Sequence, residues 1–325
     1  MPEQSCINGV TVMSIIDNLR KKIISSIVLG MLVVLVLVIY ADIDAIASAF
    51  YQFDWKYVPI IIALTVLNYL LRFYKWDYYL SRLGIHVDKK DSAIVFFSGL
   101  TMSVTPGKLG EVLKSYLLKR MDGISISRTA PIVFAERLTD VVGLIILSSF
   151  GAVVFQHGKL ILATMLFVIF SIVAVIQSRP ISLYLIAFGE KLPVISKFAH
   201  HLYVLYESAF ILLKMRTLGF AIVISVVSWF FECVAMWYVL KGFGLDLTIL
   251  SATFVFAFSS MAGAVSMLPG GLGVAEGSIV GILYTMGIPK ASAAGSALII
   301  RFFTLWFGVL VGVITLIRFK DKFQD

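Results

Sequence analysis

The chain is poor in charge, proline and cysteine. Of its 325 residues, 14% are Asp, Glu, Lys or Arg, eight are Pro, four are His and two are Cys. Each scarcity excludes something. So little charge excludes a soluble globular domain. Cys6 and Cys233 fall in a polar tail and in an apolar segment, so neither a disulfide framework nor a metal site is expected. His200 and His201 are adjacent and cannot point one way, so no metal-spaced histidine pair exists. G-x-S-x-G, Walker A and Rossmann fingerprints are missing, and Gly270-Gly271-Leu272-Gly273 lacks the strand context of a nucleotide loop. No cofactor is expected, and the chain reads as a non-enzyme. Without an ATPase module, any pumping would rest on an ion gradient or on the cargo's own gradient. The net charge of +8 sits beside apolar segments rather than in one patch, which excludes nucleic acid as a partner.

Apolar residues fill the space. They make up 60% of the chain, and the mean hydropathy is +0.97. Several runs reach the ~20 residues a membrane helix needs. The expected fold is an all-α polytopic integral membrane protein with about six full spans and two broken or re-entrant hairpins. The expected spans are residues 23–40, 57–80, 131–155, 160–177, 218–240 and 293–317. Residues 1–22 and 318–325 are polar tails. Residues 42–56 read as an acidic loop. Residues 178–217 read as amphipathic helices lying on the membrane surface. The single membrane domain covers 23–317.

The hairpins are marked by a repeated word. Thr105-Pro106-Gly107-Lys108-Leu109-Gly110-Glu111 interrupts one apolar run, and Leu268-Pro269-Gly270-Gly271-Leu272-Gly273-Val274-Ala275-Glu276 interrupts another. Pro removes a backbone donor and Gly unwinds a helix at low cost. Within a bilayer, such breaks are tolerated only where they are buried in protein or line a cavity. The echo continues: Arg137 lies 31 residues after Pro106, and Arg301 lies 32 after Pro269. Counting basic residues, with Arg20-Lys21-Lys22 cytoplasmic, leaves only Lys56, Lys159, Lys241 and Lys290 outside, provided each break enters and leaves on one side. Both termini are then cytoplasmic in a cell membrane. Repeat one (57–155) and repeat two (218–317) are inverted, an arrangement that places a site near the midplane.

Seven ionisable residues fall in or near apolar segments: Glu111, Glu136, Arg137, Asp140, Glu232, Glu276 and Arg301. Each costs roughly 2.5–3.5 kcal/mol at a helix centre, so each must pair, face the interior or meet a ligand. Glu136, Arg137 and Asp140 share a turn and read either as a structural ion network or as a gate; two acids around one Arg leave it net negative. Arg301 suits phosphate recognition through its planar fork, or a bridge to Glu276 or Glu232. Lys108 and Lys114 read as headgroup contacts or interfacial anchors. Arg72 and Lys75 read as snorkelling anchors, with Arg72 also a candidate substrate contact. Glu232 reads as a proton-coupling acid or a buried partner of Arg301.

Arg72-x-x-Lys75-Trp76, the first Pro-Gly word, Glu136-Arg137-Leu138-x-Asp140 and the second Pro-Gly word together resemble the lysylphosphatidylglycerol synthase/flippase transmembrane family, over about residues 23–317. The resemblance implies movement or handling of charged phospholipids or polyprenyl-phosphate lipids. It implies substrate contacts at Lys108, Arg137, Arg301 and Arg72. It also implies a polar path or gate at Thr105, Pro106, Gly107, Gly110, Glu111, Glu136, Asp140, Glu232, Pro269, Gly270, Gly271, Gly273 and Glu276. The chain ends without an aminoacyl-transferase domain, so it is expected to resemble the flippase half and not to make lysyl-lipid. Lys75 stands where the family usually has Arg, which weakens a strict phosphate clamp there. Membrane lipids are the expected partners. Homo-oligomerisation and a separate lipid-modifying transferase stay open, and in the latter case the chain would present a lipid carrier rather than move it.

Overall fold

The computed structural model describes residues 28–36, 39–40, 42–105, 111–152, 167, 170–171, 173–190 and 199–323. All regular structure among them is helical. We label the helices α1 (Ile43–Gln52), α2 (Val58–Arg82), α3 (Lys89–Gly99), α4 (Leu113–Asp122), α5 (Ile126–Ala152), α6 (Arg179–Glu190), α7 (Ala199–Leu212), α8 (Met215–Gly242), α9 (Ile249–Val265), α10 (Val274–Thr285), α11 (Lys290–Arg301) and α12 (Phe307–Arg318). A π turn, Phe302–Trp306, joins α11 to α12.

Among the described residues, three stretches are long and apolar enough to cross a membrane: Trp55–Arg82, Met215–Gly242 and Lys290–Arg318. α5 has 27 residues but carries Glu136, Arg137 and Asp140 near its middle. Its first turn begins at Ile126, so Pro131 lies inside the helix rather than opening it. The expected acidic loop 42–56 holds α1 and a short 3₁₀ turn. Asp42 caps α1 by accepting the Asp44 N–H at 2.9 Å, and Asp54 caps the turn by accepting the Lys56 N–H at 3.3 Å. Those acids are helix starts rather than loop charge. α7 packs along α5 with Tyr206, Ala209 and Leu212 buried, so it belongs to the bundle. Most of the expected fourth span lies outside the described residues.

The first break is short-armed. α3 has 11 residues and α4 has 10, about 15–17 Å apiece at ~1.5 Å per residue. Neither can cross alone. The Leu100–Val104 3₁₀ turn ends the first descending arm, and a Pro269–Gly271 turn divides the second hairpin. Gly270, Gly271 and Gly273 there have φ of 61°, 67° and 84°, a region that side chains other than glycine's enter only under strain.

The two halves share local chemistry. α2 ends with the Ile85 N–H donating to the Leu80 carbonyl, and α8 ends with the Leu245 N–H donating to the Leu240 carbonyl, both at 3.0 Å. Gly84 and Gly244 take the left-handed position at each end, with φ of 64° and 70°. These positions are 160 residues apart, and the same offset pairs the next N-caps, Asp88 and Thr248. α2 and α8 pack antiparallel. Asp54 N–H donates to the Gly242 carbonyl at 2.8 Å at one end, and Tyr78 meets Phe220 with ring centroids 4.6 Å apart at the other. Between them Asn68 Nδ2 donates to the Ser228 carbonyl at 2.8 Å. Asn68 and Ser228 are themselves equivalent positions. Equivalent residues touching on antiparallel equivalent helices place a two-fold axis there, perpendicular to the helices. The repeats are therefore inverted. The remaining helices interlock reciprocally: α9 packs on α5, while α3 and its 3₁₀ turn pack on α12.

That second contact is tight. A Cβ at Gly312 would lie 2.3 Å from the Thr101 backbone nitrogen. Gly312→Ala is expected to lower stability by about 1–3 kcal/mol, the usual cost of overpacking. Gly277→Ala, which has open space, is expected to be neutral. Unfolding midpoints in detergent check this; equal midpoints for both variants would mean that α12 does not sit against the first break.

Candidate functional site

The Leu100–Val104 turn that leads into the first break packs against the second break. A Cβ on Gly270 would lie 3.4 Å from Val104 Cα, and Val104, Leu272, Leu305 and Val309 form a small apolar cluster around the junction. Beside it is a cavity of about 210 Å³. Its walls include Arg72 from α2, Arg137 and Asp140 from α5, Glu232 from α8, Gly270 and Gly271 from the second break, and Arg301 from α11. Seven of the expected site residues thus share one cavity.

Behind the first wall is a buried ion network. Lys75 has 0% exposure; its ammonium donates to Asp140 Oδ1 at 2.5 Å, Ser225 Oγ at 2.8 Å and Thr139 Oγ1 at 3.4 Å. Lys114 donates to Glu136 Oε2 at 2.5 Å and lies 4.6 Å from the Trp76 ring centroid. Arg137 Nη2 is shared between Glu111 Oε2 at 3.1 Å and Asp140 Oδ2 at 3.2 Å. Arg72 reaches Glu111 only at 4.0 Å. Arg72 and Lys75 are therefore not snorkelling anchors, and Lys114 is not an interfacial one. Burial of these long side chains demands carboxylates, and Glu111, Glu136 and Asp140 supply them. Among the described residues, Arg72, Lys75 and Lys114 bring further positive charge to Glu136, Arg137 and Asp140, and Glu111 adds an acid. The Nε atoms of Arg72 and Arg137 have no hydrogen-bond partner among the described residues. Both guanidinium groups keep donor capacity at the cavity.

Repeat two has a simpler arrangement. Arg301 Nε donates to Glu276 Oε1 at 2.6 Å, and its Nη2 donates to the Gly270 carbonyl at 2.5 Å. The other oxygen of Glu276 accepts the Gly273 N–H at 2.6 Å, capping α10. Arg301 thus grips the break through a side chain and through a carbonyl that the break has freed. Arg137–Glu111 and Arg301–Glu276 are the same Arg–Glu pair built twice. The π turn follows Arg301 directly. It accounts for the one extra residue between Arg301 and Gly308 relative to Arg137 and Gly143, both glycines at helix crossings.

Other expected site residues stand apart from the walls. Glu111 and Glu276 are partners of the wall cations Arg137 and Arg301, and Glu136 is the partner of Lys114 behind the wall. Thr105 is buried, its hydroxyl donating to the Met102 carbonyl at 2.7 Å. Pro269 and Gly273 shape the second break without lining the cavity. Pro106, Gly107, Lys108 and Gly110 lie outside the described residues. Tyr69, Ser103 and Trp229 line the cavity unannounced by any motif.

A family model described as the lysylphosphatidylglycerol synthase TM region matches residues 27–312 of the chain. Among curated proteins, the chain is 24% identical to a UPF0104 membrane protein of Methanothermobacter thermautotrophicus, over 88% of this chain and 90% of that one. It is 26% identical to a UPF0104 membrane protein of Methanocaldococcus jannaschii, over 65% of this chain and 91% of that one. A third, from Pyrococcus horikoshii, is 22% identical over 90% and 96% of the two chains.

Proposed function

The chain belongs to the lysylphosphatidylglycerol synthase TM region family, and on that premise we propose that it is a lipid translocator, not an enzyme. Its cargo is a lipid with a phosphate-bearing headgroup, either a charged phospholipid or a polyprenyl-phosphate-linked lipid. The observation that carries this reading is the convergence of Arg72, Arg137 and Arg301, drawn from both repeats, on one cavity between the two breaks. Arginine forks suit phosphate oxygens. The cavity of about 210 Å³ is smaller than the roughly 300–1,000 Å³ of pockets that enclose a whole ligand. It suits a headgroup whose chains stay outside. Its walls also reach Met267 and Leu268, which are exposed and apolar, as a side entrance for a lipid requires. Inverted repeats with matching breaks supply two mouths that can open in turn. The proposal includes a cell-membrane location with both tails cytoplasmic, which the Arg20-Lys21-Lys22 cluster supports.

The test is reconstitution in liposomes with fluorescent probes of both lipid classes. The wild type is expected to exchange one probe well above the rate of empty vesicles. Arg72→Gln is expected to slow it about 10–100-fold, the range for hydrogen bonds to a charged group at about 1.5–3 kcal/mol. Wild-type rates equal to those of empty vesicles for every probe would overturn translocation. Saturable, Arg72-dependent probe binding without exchange would instead identify a protein that presents lipid to a separate transferase.

A further inference from the structure

A second concavity, an apolar groove of about 320 Å³, is lined from α5 by Leu147 and Phe150, from α8 by Val226, Val227 and Phe230, and from the start of α9. Among the described residues, no charged side chain lines it. The one hydroxyl among its described lining residues, on Thr253, donates to the Ile249 carbonyl at 2.8 Å. Phe150 and Phe230 are 61% and 40% exposed, so the groove opens sideways.

Its placement is not arbitrary. The groove and the charged cavity are built on the same three helices. On α5, Leu144 lines the cavity and Leu147 the groove. On α8, Trp229 lines the cavity and Val226 the groove. On α9, Phe256 lines the cavity and Thr253 the groove. Each pair is three residues apart, so both members lie on one helix face about one turn from each other. Leu144, Trp229 and Phe256 are all buried, with the Trp229 and Phe256 rings 6.4 Å apart. They stand one turn along each helix from the groove-lining side chains, as a partition between a phosphate-sized polar space and a hydrocarbon-lined one.

We propose that this groove is the hydrocarbon-chain site of the transported lipid. The headgroup occupies the arginine cavity while one chain lies in the groove, passing where the Leu144–Trp229–Phe256 partition gives way. This rests on the translocator reading and adds a chain subsite to it. The groove thereby confers selectivity: the protein recognises chain and phosphate together, and a free phosphate lacks half of the determinants.

The experiment is photo-crosslinking of the full chain in nanodiscs. The probe is phosphatidic acid with a diazirine in the upper third of one acyl chain. Adducts are expected within residues 147–150, 226–230 and 249–253. Unlabelled phosphatidic acid is expected to compete them away, and diacylglycerol with the same chains is not. Val227→Trp, which fills the groove from α8, is expected to reduce these adducts at least fivefold. Leu250→Trp does so from α9 and serves if the first variant folds poorly; Arg72→Gln reduces them by removing the headgroup contact. Uniform labelling of every lipid-facing helix, indifferent to competitor, would identify annular lipid and overturn the proposal. So would chain-to-chain crosslinks in place of lipid adducts, which would mark the groove as the seat of a second copy. The readout does not require exchange. Adducts without exchange would overturn translocation and leave the groove standing; exchange without adducts would do the reverse.

Discussion

Lys75→Met is expected to cost about 3–5 kcal/mol, a large share of the 5–15 kcal/mol that holds a typical domain folded. Lys75 has no exposure and all three of its ammonium donors are directed at oxygens. Removing it strands Asp140, whose exposure is 2% and whose remaining ion pair is to Arg137 at 3.2 Å. An acid left with one ion pair and the Ser225 hydroxyl, which donates to its Oδ1 at 3.1 Å, in a low-dielectric interior is the expensive outcome, more than the loss of the attraction itself. Asp140→Asn in the same chain removes the stranded charge, so Lys75→Met/Asp140→Asn is expected to recover most of the stability. Unfolding midpoints and monodispersity in detergent for the two single variants and the double variant measure this. A coupling energy under about 0.5 kcal/mol would mean that the two side chains act independently and that the buried pair does not hold the cavity wall.

Lys75 also shows why part of the site escaped the sequence. Thr65, Asn68, Arg72, Lys75 and Tyr79 recur at spacings of three and four along α2, and all are buried. Val66, Leu67, Leu70 and Tyr74 on the other face are exposed. This is an inside-out amphipathic helix, with polar atoms toward the protein and apolar ones toward lipid. The stripe was readable. Arg72 and Lys75 near a helix end look like interfacial anchors only when taken singly. The Pro-Gly words and the Arg–Glu echoes were legible because breaking a membrane helix needs rare residues in a fixed order. The helix within 42–56 was obscured because its capping acids look like loop charge. The equivalence of Arg72 and Glu232 was hidden by opposite charge. The shared helix ends, Gly84 with Gly244, and the N-caps Asp88 and Thr248 reveal that these two cavity residues occupy one position in the two repeats. Cavity walls such as Tyr69 and Trp229 carry no motif, because they are defined by which helices cross, and that is a long-range fact.

Arg301→Ala is expected to reduce lipid exchange about 100-fold or more while the protein stays folded. Two charge-assisted contacts disappear together, to Glu276 Oε1 at 2.6 Å and to the Gly270 carbonyl at 2.5 Å. At about 1.5–3 kcal/mol each, their joint loss exceeds two decades in rate if they are what hold the break in its exchange-competent arrangement. Arg301→Lys separates charge from geometry. Lysine keeps the positive charge but places it on one atom, which cannot hold Glu276 and Gly270 as a planar fork does. It is expected to keep no more than about a tenth of the wild-type rate. Glu276→Gln keeps the side chain's size and weakens both the bridge and the cap on Gly273, with a loss of about tenfold. Full activity in Arg301→Lys would mean that charge alone matters and that the fork does not hold the second break. Full activity in folded Arg301→Ala would remove Arg301 from the path. Arg137→Ala then tests the symmetry. Arg137 meets Glu111 at 3.1 Å as Arg301 meets Glu276. If the repeats exchange roles during each crossing, each Arg–Glu pair controls one mouth, and removing either should slow exchange in both directions. A one-sided defect, slow entry from one leaflet alone, would make the first pair a static support for the network around Lys75 and leave the gate to the second break.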